Sequence, residues 1–95
     1  MMSEAMNTLL DVISVQPLSG FRLALEFENG EKRIFDMLPL MEKRPFDRLK
    51  DVKLFSRASI DYGTVVWPGN IDIAPETLYM ESTPAASGLV LWVRQ

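Results

Sequence analysis

The chain has 95 residues, 47% of them hydrophobic and 24% charged, a net charge of −3, and neither histidine nor cysteine. That length provides one domain and one core, burying ~60–70% of the surface the unfolded chain exposes, and the composition is globular. No stretch approaches the ~20 apolar residues that cross a bilayer, the missing cysteines exclude a disulfide framework and thiol chemistry, and an acidic balance argues against broad contact with nucleic acid.

Residues 1–8 have neither the basic flank nor the apolar run of a signal peptide, so they read as a flexible leader to a single domain over 9–81 in a cytoplasmic protein. From Leu9 to Val15 the chain is apolar and β-branched, a first strand that Pro17 is expected to end because proline cannot donate to a ladder. Pro17-Leu18-Ser19-Gly20 reads as a turn. Phe21, Leu23, Leu25 and Phe27 then alternate with polar or small residues, the period of a half-buried strand. Asn29-Gly30 predicts a two-residue hairpin loop, which would place Leu25 opposite Ile34, Glu26 opposite Arg33 and Ala24 opposite Phe35. Asp36 is placed to cap a helical turn over 37–41, where Pro39 falls in a first turn that does not need its N–H.

Phe46, Leu49, Val52 and Phe55 recur every three residues with a capping Asp51 between them, predicting two short helices over 46–50 and 52–57. A second hairpin, Ala58–Asp61 with Thr64–Trp67, is expected to turn at Tyr62-Gly63. Pro75-Glu76 opens a last helix ending near Glu81, with proline and an acid where the first turn favours them. Residues 82–88 read as a linker, and 89–95 as an apolar segment whose Leu89–Val93 forms an extra strand, paired within the chain or across a homodimer. The predicted class is α+β, a small antiparallel sheet in the order β-β-β-α-α-β-β-α with short helices.

Little catalytic equipment is visible. Without histidine or cysteine, acid–base work would fall to a buried carboxylate or lysine, and no spacing marks one. The serines sit in no nucleophile elbow, the five glycines form no phosphate cradle, and no oxygen-rich loop would hold a hard cation. No catalytic residue, metal or cofactor is therefore expected. Two surfaces stand out instead. Lys43 to Arg57 holds six bases against two acids, a local +4 that leaves −7 for the remainder. Within it, Arg44 and Arg48, and Lys53 and Arg57, are four residues apart and would share helix faces as an anion-binding site, although a merely solvated surface explains them as well. The segment from Val66 to Tyr79 supplies Trp67, Pro68, Asn70, Asp72, Glu76 and Tyr79 as a candidate partner-binding patch. A rigid strand-to-helix connection accounts for the same residues.

The Leu25–Gly30 hairpin, Phe35–Leu40, Phe46–Leu49, Leu54-Phe55 and above all the Trp67–Glu76 block resemble the family known as domain of unknown function 2442, from about Met6 to Tyr79. The resemblance implies a compact bacterial α+β domain with no established activity. Some relatives of that kind continue into a helix-turn-helix region, for which this chain has no room before Gln95. Others look like the second member of a gene pair with a small toxin-like family, domain of unknown function 4160. The leading expectation is a non-catalytic module that binds a protein partner, as an antitoxin-like or regulatory partner of a small protein. The alternative is a regulator that binds an anionic ligand or nucleic acid through the basic 43–57 face.

Overall fold

The computed structural model describes residues 10–85, which form an α+β fold of seven short strands in two antiparallel sheets. In chain order they are β1 (Val12–Leu18), β2 (Arg22–Phe27), β3 (Lys32–Asp36), two 3-10 turns (Leu38–Glu42 and Phe46–Lys50), helix α1 (Val52–Phe55), β4 (Ser59–Asp61), β5 (Thr64–Trp67), β6 (Ile71–Asp72), helix α2 (Pro75–Met80) and β7 (Thr83–Pro84). The larger sheet runs β1-β2-β3-β7 and the smaller β4-β5-β6. The expected element order is kept, with the strands divided between two sheets rather than one and two further strands added. The Leu89–Val93 strand and the dimer through it lie outside the described residues.

Alternation in β2 sends Leu23, Leu25 and Phe27 inward, each with no exposed surface. The hairpin to β3 is shifted by one residue from the expected register. Leu23 pairs with Phe35, Ala24 with Ile34, and Leu25 with Arg33. The loop has three residues, closed by Phe27 N donating to Glu31 O at 2.9 Å and Gly30 N to Phe27 O at 2.8 Å, with Gly30 alone at positive φ. Packing explains the choice. A one-residue slip turns every β3 side chain over, and only the observed register puts the larger Phe35 in the core beside Leu23.

Pro17 does not end β1 but lies within it, paired with Leu23. β1 is an edge strand of its sheet, where a missing donor is tolerated. The turn that follows therefore falls at Ser19-Gly20-Phe21, with Phe21 at φ 59 and its ring edge-on to Phe55 at 5.2 Å. The helical segments begin where capping residues permit. The Asp36 carboxylate accepts from Leu38 N at 3.0 Å, ahead of the first 3-10 turn, and Asp51 accepts from Lys53 N at the start of α1.

Met37, Met41, Leu49 and Phe55 from these connections fill the space between the sheets, with Leu78 of α2. Trp67 joins the layers. It is 3% exposed, stacks on Phe55 at 6.2 Å, and donates its indole N–H to the Phe55 carbonyl at 3.0 Å. At the sheet junction, Val12 N donates to Gly63 O, and Asp11 exchanges hydrogen bonds with Glu28.

Residues 82–85 belong to the fold rather than to a linker. Thr83-Pro84 pairs with Ile34 and Arg33, and Ala85 N donates to Lys32 O. Arg33 fastens this end, donating from Nε to Ser82 Oγ at 2.7 Å and from Nη2 to Ser82 O at 2.9 Å, while its guanidinium lies over the Tyr79 ring.

Gly63 sits at φ 76, and an added Cβ would lie 2.5 Å from an Asp11 carboxylate oxygen. Gly63→Ala should therefore lower stability by ~1–2 kcal/mol, chiefly from the left-handed backbone, since the Asp11 side chain can swing away. An unchanged urea midpoint would refute this. Trp67→Phe keeps a ring on Phe55 but leaves its carbonyl with only the longer 3.3 Å hydrogen bond from Ala58 N, and should cost ~1–2 kcal/mol in the same measurement.

Candidate functional site

The outer face of the small sheet follows from its register. Val66 pairs with Ser59 on one side and Asp72 on the other, while Asp61 pairs with Thr64, so Ser59, Asp61, Thr64, Val66 and Asp72 share the side opposite Val65, Trp67 and Ile71. Asp61 and Asp72 are exposed and Val66 is half-buried between their strands. Thr64 is buried, with its hydroxyl satisfied by donating to the Ile73 carbonyl.

Two tight turns bound this face. At the β4–β5 end, Tyr62 and Gly63 take φ 53 and 76, the mirror-image turn that suits strand twist. Tyr62 is 94% exposed there. At the β5–β6 end, Pro68-Gly69-Asn70 loops over, with Gly69 at φ 94 and Asn70 at φ 63. Between the turns lies an open groove of about 410 Å³, lined by Asp61, Tyr62 and residues 66–72.

Of the six residues expected to bind a partner, Trp67, Pro68, Asn70 and Asp72 line this groove. Trp67 cannot serve as a protruding anchor, since its ring is committed to the core. Glu76 is exposed in the first turn of α2 and takes no part in the groove. Tyr79 belongs to a different neighbourhood, edge-on to Phe27 at 5.1 Å and under Arg33 at 4.6 Å. Trp67 and Tyr79 thus form no common patch. The Tyr79 phenol is held above its ordinary pKa, first by hydrogen bonding to Glu31 and then by burial and the Glu31 charge, with Arg33 opposing. This contribution favours the fold up to the unfolded phenol's value and is lost as pH rises through the higher folded value.

The basic residues do not make the helix faces expected of them. Arg44 precedes the second 3-10 turn and Arg57 lies beyond the end of α1, so neither four-residue pair shares a helix. Arg48 is occupied structurally, donating from Nη2 to Gly69 O at 2.9 Å and bracing the Pro68–Asn70 loop. Arg44, Lys53 and Arg57 are exposed.

Tyr62 is a groove residue that sequence reasoning did not select, and Asp61 drew notice there only as an acid that flanks the Trp67 segment with Asp72. A signal existed for Tyr62. A bulky residue in a turn that favours asparagine, aspartate or glycine breaks the local rule, and such departures concentrate where a surface is used. Among the described residues, no three acidic side chains converge on a metal-sized site, and no helix is long and apolar enough to cross a membrane.

No curated protein and no solved structure matches the chain. One family model does, described as a protein of unknown function (DUF2442), over residues 12–84. Those bounds run from the first residue of β1 to the last of β7, the whole of the described fold. The chain belongs to the DUF2442 family.

Proposed function

We propose that this domain is a non-catalytic protein-binding module, working in the cytoplasm, whose docking face is the outer side of the small sheet. The observation that carries this reading is Tyr62, an aromatic ring 94% exposed on a tight turn at the rim of an open groove. Tyrosine is among the side chains that dominate binding energy at interfaces, and with only two side-chain torsions it loses little entropy when it is fixed there. The sequence supplies no histidine or cysteine to suggest chemistry instead. The partner we propose is another small protein, which would give the domain an antitoxin-like or regulatory role. Affinity capture from the native host tests this with a matched variant. Tyr62→Asn keeps a residue at home in the left-handed turn, so stability should hold within ~0.5 kcal/mol. Wild-type protein should recover a stoichiometric protein that Tyr62→Asn does not. Equal recovery by both, or none by either, would count against this face.

A second reading rests on the exposed Arg44, Lys53 and Arg57, which could meet an anionic ligand or nucleic acid. Binding to heparin or a duplex DNA fragment should then weaken steeply with salt and vanish when the three are reversed to glutamate. Arg48 is left intact in that variant because it braces the loop at Gly69. No salt-dependent binding by the wild type would eliminate this reading.

A further inference from the structure

We infer that the groove takes an arginine side chain from a segment of its protein partner, with the guanidinium held between Asp61 and Asp72 against the Tyr62 ring. This rests on the protein-binding reading of the same face and names the chemistry of what docks there.

The geometry of the sheet carries the inference. Asp61 is on β4 and Asp72 on β6, on the same face and separated by β5. Strands ~4.8 Å apart put β4 and β6 roughly 10 Å from one another. Asp61 is level with Thr64 while Asp72 is level with Val66, so the two backbones lie ~12 Å apart on a diagonal that their side chains, leaning inward over Val66, shorten. A planar guanidinium with ~2.9 Å hydrogen bonds on two edges fits such a span. A lysine ammonium is a compact point charge and would satisfy one carboxylate at a time. Between the acids, half-buried Val66 gives the floor an apolar centre, and Tyr62 offers a ring face for cation stacking.

The charge pattern agrees. No lysine or arginine is among the residues that line the groove. Neither carboxylate has an ion pair among the described residues, where the ion pairs run from Lys32 to Glu26 and from Arg33 to Glu31. The nearest guanidinium partner of the loop, Arg48, is directed at the Gly69 carbonyl. The occupant is a protein segment rather than a free small cation because the groove is open and shallow. A small ligand needs most of its surface enclosed, whereas residues flanking an arginine can cover Tyr62 and Pro68, both exposed on the rim.

The test uses amide chemical shifts of the full chain titrated with three capped peptides identical except for a central arginine, lysine or citrulline, and with free arginine. The arginine peptide should shift the amides of Asp61, Tyr62, Val66 and Asp72, and bind at least about fivefold tighter than the neutral citrulline peptide, a difference two exposed charge pairs can supply. Asp61→Asn with Asp72→Asn should abolish that preference while leaving the thermal midpoint unchanged. Equal binding of arginine and citrulline peptides, shifts confined to other elements, or no shifts at millimolar peptide would overturn the inference. Free arginine binding as tightly as the peptide would overturn the assignment to a protein segment. Host-partner capture separates this from the broader reading. A partner retained by the double asparagine variant and in high salt leaves the binding module standing and removes the arginine.

Discussion

The hydrogen bond from the Trp67 indole to the Phe55 carbonyl, with the stack of the two rings behind it, is where the two sheets and the helical connection meet. Phe55 ends α1 and is touched edge-on by Phe21 from the turn between β1 and β2, so one aromatic row, Phe21–Phe55–Trp67, runs from that end of the larger sheet to the small sheet. The small sheet has three strands of four residues or fewer and could not stand by itself. Its inner face, Val65, Trp67 and Ile71, is stabilised by burial against the larger sheet and the helical turns.

That commitment decides which surface is free to work. With Trp67, Ile71 and Ile73 turned inward, strand alternation sends Asp61, Val66 and Asp72 outward, and the two turns at the ends lift Tyr62 and Asn70 into solvent. Arg48 braces one turn, and the Val12–Gly63 hydrogen bond anchors the other. A groove between two braced turns changes little when something enters it, so binding there incurs a small ordering cost. Elsewhere, the Arg33 contacts to Ser82 and Tyr79 hold β7 and α2 to the larger sheet.

Signals confined to a few neighbouring residues were legible in the sequence. The Tyr62-Gly63 turn, the Asp51 cap and the helix begun by Pro75 stand where expected, because each depends on backbone preferences a short segment carries alone. The first hairpin was legible as a hairpin but not in register. Asn29-Gly30 serves both a two-residue loop and a three-residue loop, and the decision lies with Phe35, whose burial beside Leu23 is a property of the whole core. β6 and β7, with two residues each, carry too little pattern to read. The site was half legible. Pro68, Asn70 and Asp72 came from the dense block near Trp67, but nearness in sequence does not say which face of a strand a residue takes. That is why Trp67 belongs to the core, Tyr79 to another neighbourhood, and Tyr62 to the rim.

The assignment of Trp67 to the core rather than to the proposed docking face can be measured directly through solvent exchange of the Trp67 indole proton. Trp92→Phe leaves a single tryptophan in the chain, so the signal needs no further assignment. An indole bonded to the Phe55 carbonyl inside the core should exchange orders of magnitude more slowly than a free indole, approaching the rate set by global unfolding. Exchange as fast as that of an exposed tryptophan would show that the ring reaches solvent, and would return Trp67 to the list of residues that can meet a partner.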